Sequence, residues 1–290
     1  MTKIINGKLL AEEIYKHIKS KIFKIFSQTH RRPKLATVLI GDSHSSEIYI
    51  NAKIKAAQKV MIATELIRLN KKITDDKLYE IIHSLNQRLD ITAILIQLPI
   101  PRHLDDFIVF NSISHKKDVD GFCIYNIGLL NHWRQSITPC TPQGILYILK
   151  KYIDSLHGKK AIIIGRSIIV GRPMSSILIR EGCTTVIAHS KTKNIEAECR
   201  SADILISAVG SPKLIGSDWV KPNAFVIDVG INRVNNQIVG DVDFEKVKNI
   251  ASYITPVPGG VGPLTVAHLM LNTLKLFISQ NIINNDSVIK

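Results

Sequence analysis

The chain has 290 residues, enough for two domains of common size, and its 45% hydrophobic and 21% charged residues exclude a disordered protein. The N-terminal stretch lacks the apolar segment of a signal peptide, and no apolar run reaches the roughly 18 residues that a membrane span needs. We therefore expect a soluble, cytoplasmic protein with no membrane partner.

The formal net charge of +14 is compatible with an anionic small ligand, with nucleic acid, or with a Lys-rich solvated surface. Basic residues are scattered, and the largest cluster is HRRPK at residues 30–34, so we expect no nucleic-acid partner. The four cysteines have no C-x-x-C spacing and the histidines no metal-ligand spacing, so we expect neither a disulfide scaffold nor a metal site.

The first half of the chain alternates between helical and strand patterns, which predicts βαβ units with a mainly parallel sheet. The predicted helices lie at about 8–26, 46–58 and 75–89, and the predicted strands at 35–40, 62–69 and 91–98. Turn signals are concentrated between Pro99 and Pro142, which predicts a domain junction followed by a connecting helix to about Tyr152.

The second half alternates again, which predicts a second doubly wound sheet. Its predicted strands are 160–165, 184–190, 202–209 and 224–230, and its helices begin after Gly171, at about 194 and at about 264.

The segment IIIGRSIIVGRP follows a strand and opens a helix, the context in which backbone N–H groups and a helix N-terminus bind phosphate. It departs from G-x-G-x-x-G, because Ser167 replaces the middle glycine and Gly171 comes one position late, so a plain strand-to-helix turn is equally compatible. The next strand ends AHSKT, with Ser190 and no acid for a ribose hydroxyl. With Arg166 as a candidate ligand of a 2′-phosphate, this pattern favours NADP over NAD unless these are merely solvated loop residues.

Five polar or aromatic residues of the first half are candidates for a site, although each has an ordinary structural explanation. Tyr49 and Lys53 are one helical turn apart beside a buried stripe, as a surface pair also would be. Gln97 ends a strand, where open α/β sheets bind ligands but where an amide can also pair with backbone. Asp118 and Asp120 in KDVDGF are typical of a turn.

Taken in order, nine segments resemble the family of bifunctional methylenetetrahydrofolate dehydrogenase/methenyltetrahydrofolate cyclohydrolases, the FolD family. The segments are SSEIYINAKIKAA, IQLPIP, KDVDGF, PCTPQGI, GRSIIVGRP, HSKT, VIDVGINR, GDVDF and TPVPGGVGPLTVAHLMLNT. The resemblance implies NADP-dependent oxidation of 5,10-methylenetetrahydrofolate to the 5,10-methenyl cation, followed by hydrolysis to 10-formyltetrahydrofolate.

The resemblance also implies roles for individual residues. Tyr49 matches the tyrosine that stacks on the folate, Lys53 the catalytic lysine, Gln97 the glutamine that tunes it, and Asp120 the aspartate that holds the pterin. The implied NADP contacts are Gly165, Arg166, Ser167, Ser190 and the backbone of Ile231. A lysine that is neutral part of the time could accept the proton of the attacking water.

The implied architecture is two α/β domains with a cleft between them. Residues 1–141, completed by the C-terminal helix at 263–290, form the folate domain; residues 142–262 form a Rossmann-like NADP domain; and the protein is a homodimer. The chain departs from the family at Met61, where glycine is usual, and at Ile100, where leucine is usual. The alternatives are a dehydrogenase with that activity alone, in which Lys53 only positions substrate, and a basic nucleic-acid-binding protein.

Overall fold

The computed structural model describes residues 2–41, 44–235 and 237–281, without the side chains of residues 44–46, and the chain divides into two compact units. One unit comprises Glu12–Cys140 and the chain from Val266 onward, and the other comprises the chain up to Ala11 and Thr141–Thr265. We name them the three-stranded unit and the six-stranded unit after their sheets.

The three-stranded unit is built on parallel strands in the order β3-β2-β4. They are β2 (Lys34–Ile40), β3 (Ala63–Leu69) and β4 (Ala93–Ile96). Its helices are α2 (His44–Lys59), α3 (Asp75–Gln87), α4 (Asp106–Ser112), α5 (Ile124–Asn131) and the greater parts of α1 (Gly7–Thr29) and α10 (Val261–Gln280). Strand β4 is buried throughout, as is typical of a parallel strand covered on both faces, whereas β3 on the other side of β2 is mostly half-buried.

The six-stranded unit has an all-parallel sheet in the order β1-β11-β8-β7-β5-β6 and a separate antiparallel ribbon of β9 and β10. The sheet strands are β1 (Lys3–Ile4), β5 (Lys160–Ile164), β6 (Thr184–Ala188), β7 (Ile204–Ser207), β8 (Phe225–Asp228) and β11 (Tyr253–Ile254). The ribbon strands are β9 (Asn232–Val234) and β10 (Gln237–Val239), and the helices are α6 (Cys140–Tyr152), α7 (Gly171–Arg180), α8 (Ile195–Arg200) and α9 (Phe244–Val247).

The strand order places a ligand-binding edge on the six-stranded sheet. The chain passes from β5 to β6 on one side and then returns to β7 on the other side of β5. Such a switch point leaves a crevice outside the carboxyl ends of the strands, where doubly wound sheets bind their ligands.

The fold class predicted from sequence, two α/β units with parallel sheets, is confirmed. The sequence patterns did not predict the short strands β1 and β11, the β9–β10 ribbon, the helices α4 and α5 inside the turn-rich stretch, or the short helix α9. At the end of α2, Met61 itself adopts the left-handed conformation (φ 66°) that the family's usual glycine would take.

The expectation that no segment could span a membrane was too strict. Among the described residues, α10 is long and apolar enough by length and composition, but 61% of its apolar window is buried inside the protein. It packs as a core helix, with Leu269, Met270 and Leu274 almost completely buried.

Candidate active site

Helix α2 presents Tyr49 and Lys53 from the flank of its buried stripe. Ile50 and Ala57, together with Val60 directly after the helix, form that stripe and are at most 1% exposed, whereas Lys53 is half-buried and Tyr49 is 37% exposed. The two side chains are one turn apart and therefore share a face of the helix. Burial lowers the pKa of Lys53 and raises that of Tyr49.

Gln97, which follows the last residue of β4, fixes the position of the lysine amine. Lys53 Nζ donates to Gln97 Oε1 at 2.9 Å, and Gln97 Nε2 donates to the Leu98 carbonyl at 2.7 Å. Because the carbonyl requires a donor, the amide must turn its nitrogen toward Leu98 and its oxygen toward Lys53. Gln97 is only 6% exposed, so this orientation is held within the protein.

The two carboxylates of KDVDGF have different surroundings. Asp118 is 2% exposed and accepts three hydrogen bonds at 2.9 Å, from Gly121 N, Cys123 N and Asn126 Nδ2. Asp120 is half-buried. Within the part of the chain that the structure describes, its carboxylate accepts one weak hydrogen bond, from the Cys140 thiol at 3.7 Å. Asp118 therefore holds the turn, while the acceptor capacity of Asp120 is available to a ligand.

Lys53, Asp120 and Cys140 interact electrostatically. Burial lowers the pKa of Lys53, and the negative charge of Asp120 opposes that change. Burial raises the pKa of Asp120 to about 6, and Lys53 opposes the increase. Burial and Asp120 both raise the pKa of the Cys140 thiol, so it stays protonated at neutral pH. The cluster therefore contains a lysine that loses its proton more readily than a solvated one.

Asn272 of α10 holds the segments that carry Asp120 and Cys140. Its Nδ2 donates to the Val119 carbonyl at 3.0 Å and to the Thr138 carbonyl at 2.9 Å, and lies 3.5 Å from Cys140 Sγ. The residue is completely buried. Neither Asn272 nor Cys140 is predicted as a site residue from the sequence, although they lie in two of the segments that resemble the family, TPVPGGVGPLTVAHLMLNT and PCTPQGI.

The turn after β5 fits a dinucleotide phosphate. Gly165 has φ 115°, and a Cβ there would overlap the Ala208 carbonyl oxygen, so only glycine fits this turn against the end of β7. Ser167 Oγ accepts hydrogen bonds from Val170 N at 3.2 Å and Gly171 N at 3.5 Å. The side chains of Arg166 and Ser167 are exposed beside the start of α7, whose N-terminus favours an anion.

The end of β6 fits a 2′-phosphate better than a bare ribose. Ser190 is exposed in a turn closed by the hydrogen bond from His189 N to Thr192 Oγ1, at 2.9 Å. The first acidic residue after β6 is Glu196, inside α8, so no carboxylate follows the strand directly. Ile231 is 50% exposed after β8, at the same edge of the sheet.

Each set of sequence-predicted residues lies within one unit. Tyr49, Lys53, Gln97 and Asp120 belong to the three-stranded unit. The five cofactor candidates, Gly165, Arg166, Ser167, Ser190 and Ile231, follow β5, β6 and β8 at the carboxyl edge of the six-stranded sheet.

Two family models match this chain. Residues 5–120 match "Tetrahydrofolate dehydrogenase/cyclohydrolase, catalytic domain", and residues 139–281 match "Tetrahydrofolate dehydrogenase/cyclohydrolase, NAD(P)-binding domain". The chain belongs to this family. It is therefore an enzyme with a catalytic domain and an NAD(P)-binding domain, as its sequence motifs predict.

Similar proteins agree with membership of the tetrahydrofolate dehydrogenase/cyclohydrolase family. A curated relative, the bifunctional protein FolD of Pelagibacter ubique, is 44% identical over 94% of this chain and 98% of its own length. The structure of the bifunctional FolD methylenetetrahydrofolate dehydrogenase/cyclohydrolase from Campylobacter jejuni has a TM-score of 0.94 at 42% identity, covering 97% of this chain and 100% of that one. The Trypanosoma brucei FolD structure, complexed with NADP cofactor and inhibitor, has a TM-score of 0.93 at 33% identity and covers 97% and 99%.

Proposed function

We propose that this enzyme oxidises 5,10-methylenetetrahydrofolate with NADP and then hydrolyses the resulting 5,10-methenyl cation to 10-formyltetrahydrofolate. The observation that carries the proposal is the pairing of Lys53 Nζ with Gln97 Oε1 in surroundings that lower the pKa of the lysine. The family models support it, and so does the similar Campylobacter jejuni FolD, whose name states the methylenetetrahydrofolate dehydrogenase and cyclohydrolase activities.

Lys53 is the proposed base of the hydrolytic step. Water that attacks the methenyl carbon must lose a proton, and a neutral amine can accept it whereas an ammonium cannot. The hydrogen bond to Gln97 occupies one N–H of Lys53 and so leaves the lone pair of the neutral amine for the water. A bound cationic substrate would lower the pKa of Lys53 further, because like charges disfavour its protonated form.

Asp120 and Tyr49 are the proposed substrate-binding residues. Asp120, whose pKa is about 6, is mostly ionised at neutral pH, and its carboxylate can accept hydrogen bonds from the N–H groups of the pterin ring. Tyr49 is exposed on the same face of α2 as Lys53, so its ring can stack on a flat heterocycle beside the base.

The proposed cofactor site is the carboxyl edge of the six-stranded sheet. When bound, NADP supplies the hydride acceptor. Gly165, Ser167 and the start of α7 would hold its phosphates, Arg166 and Ser190 would bind the 2′-phosphate, and the backbone of Ile231 would meet the nicotinamide end. A guanidinium and a hydroxyl, without a competing carboxylate, favour NADP over NAD.

We propose the same organisation for the whole protein that the sequence predicts. Residues 1–141 with 263–290 would form the folate domain and residues 142–262 the NADP domain, except that the chain up to Ala11, which carries β1, belongs to the six-stranded unit. The enzyme would be a soluble, cytoplasmic homodimer. The burial of α10 and its packing in the core support the soluble state.

Substitution of Lys53 tests the proposal, with Lys55, exposed on the same helix, as the matched position. Lys53→Met should lower the hydrolysis of methenyltetrahydrofolate by about 100-fold or more, the range for loss of a general base, while folate binding is retained. Lys55→Met should hydrolyse it at the wild-type rate. A Lys53→Met enzyme with full hydrolytic activity would favour the dehydrogenase-only alternative.

The dehydrogenase step has its own assay. Wild-type protein given methylenetetrahydrofolate should produce reduced-cofactor absorbance with NADP and much less with NAD. A protein that reduces neither cofactor would refute the proposal, and one that prefers NAD would refute the roles given to Arg166 and Ser190.

A further inference from the structure

The motif GDVDF, to which the proposed function gives no role, contributes one of two buried carboxylates at the carboxyl edge of the six-stranded sheet. Asp241 is completely buried, and Asp228, the last residue of β8, is 3% exposed. Both lie in the same unit as the proposed cofactor site.

Asp241 accepts five hydrogen bonds from two segments, residues 207–211 and Asn232. Its Oδ2 accepts from Val209 N at 2.8 Å, Gly210 N at 3.3 Å and Ser207 Oγ at 3.1 Å. Its Oδ1 accepts from Ser211 N at 2.9 Å and Asn232 Nδ2 at 3.0 Å. Three successive backbone N–H groups thus converge on one carboxylate, an arrangement that in other proteins binds external anions.

Asp228 holds Asp241 itself and the residue before Ile231. Its Oδ1 accepts from Gly230 N and Asp241 N, both at 2.9 Å, and its Oδ2 accepts from Val242 N at 2.9 Å. A Cβ on Gly230 would overlap the Asp241 carboxylate, so the backbone packs directly against it. Ile231 therefore lies between Gly230, held by one carboxylate, and Asn232, held by the other.

These hydrogen bonds determine which groups at the carboxyl edge of the sheet are available to a cofactor. The N–H groups of residues 209–211 point at Asp241 and are not available to a phosphate. Among the residues next to this hydrogen-bond network, Val209 (38% exposed) and Ile231 (50% exposed) present apolar side chains to the surface, whereas the exposed cations of these segments, Lys213 and Arg233, come later in the chain. The phosphate-binding features lie instead at the turn after β5.

We propose that Asp241 is a positioning residue for the cofactor. It holds Val209 and Ile231 as an apolar surface for the uncharged face of the nicotinamide ring, and it keeps phosphates at the β5 turn. The inference rests on the proposed function, since it takes NADP as the ligand of this edge.

The bifunctional enzyme provides an internal control, because hydrolysis of methenyltetrahydrofolate consumes no NADP. In Asp241→Asn, an amide NH₂ takes the place of one carboxylate oxygen. Because this NH₂ is a donor facing donors, the hydrogen bonds to that oxygen are lost. We expect the KM for NADP to rise about tenfold or more, the range for loss of hydrogen bonds to a charged group, with kcat and KM of hydrolysis unchanged.

Asp203 is the matched control at the opposite, amino edge of the same sheet. Its carboxylate accepts hydrogen bonds from Lys160 N at 2.9 Å and from Lys221 Nζ at 2.7 Å. Like Asp241, it therefore accepts from both a backbone N–H group and a side chain. Asp203→Asn should leave the KM for NADP at the wild-type value. If Asp241→Asn does not fold, Asn232→Ala, which removes one donor to Asp241, should raise the KM for NADP severalfold on its own.

An unchanged KM for NADP in Asp241→Asn would overturn the inference. If that variant does not fold, an unchanged KM for NADP in Asn232→Ala would overturn it. A parallel loss of hydrolysis would also overturn it, because Asp241 would then serve the whole fold. Direct titration with NADP separates this failure from that of the proposed function. A wild type that binds no NADP refutes both, whereas a wild type and an Asp241→Asn variant that bind it equally refute the inference alone.

Discussion

Replacing Gln97 with Glu tests how the site controls the protonation of Lys53. The substitution keeps the length of the side chain and places a carboxylate oxygen where the amide oxygen now accepts from Lys53 Nζ at 2.9 Å. It also removes the N–H that the Leu98 carbonyl uses at 2.7 Å, so the new carboxylate depends on Lys53 for compensation.

The distance sets the size of the effect. Two unit charges 2.9 Å apart attract by about 6 kcal/mol at an effective dielectric constant of about 20. The cost of burying the new carboxylate opposes this attraction, and opposite charges at short range move a pKa by about 1 to 3. The pKa of Lys53, now lowered by burial, should therefore rise, and its neutral fraction at neutral pH should fall about tenfold to a thousandfold.

The pH dependence of hydrolysis gives the measurement. Since the neutral amine is the base, the rate should rise with pH through the pKa of Lys53, and in Gln97→Glu this rise should move to higher pH. Gln97→Met, which removes the hydrogen bond without adding charge, should show no such displacement. A Gln97→Glu profile that stays in place, or moves to lower pH while folate binding is intact, would refute Lys53 as the base.

Two further predictions concern stability and are measured by urea unfolding. Asp118→Ala should lower the free energy of unfolding by at least about 3 kcal/mol, because it leaves three buried donors without an acceptor. A decrease of less than about 1 kcal/mol would contradict the structural role given to Asp118. Met61→Gly should raise the free energy of unfolding by about 0.5–1 kcal/mol, because glycine adopts φ 66° without strain; a decrease would show that the Met61 side chain contributes more than the strain costs.

The long elements of the fold could be predicted because their apolar patterns are intrinsic to each segment. The run LATVLI and the run KAIII appear as β2 and β5, within one residue of their predicted limits. Strands β1 and β11 have two residues each, too few for any periodicity, and exist only because each pairs with a neighbour in the sheet. Their positions depend on tertiary contacts that no local pattern encodes.

The candidate site was predictable where one helix or strand carries the signal. Tyr49 and Lys53 could be placed together from helical phase alone, and Gln97 from the end of its strand. Asn272 could not, because its hydrogen bonds to the Val119 and Thr138 carbonyls join segments 153 and 134 residues away. Its position in an apolar helix gives no indication of a polar partner.

The aspartates show why residue type alone does not identify a site. Asp118 and Asp241 are buried, and each is surrounded by N–H donors of its own fold, so their carboxyl oxygens hold loops in place. Asp120, two residues from Asp118, has one weak donor, and burial raises its pKa to about 6. A carboxylate that is costly to ionise and lacks donors in the fold gains most from a ligand that brings them. The supply of backbone N–H groups therefore separates the two kinds of aspartate, and only the folded chain determines that supply.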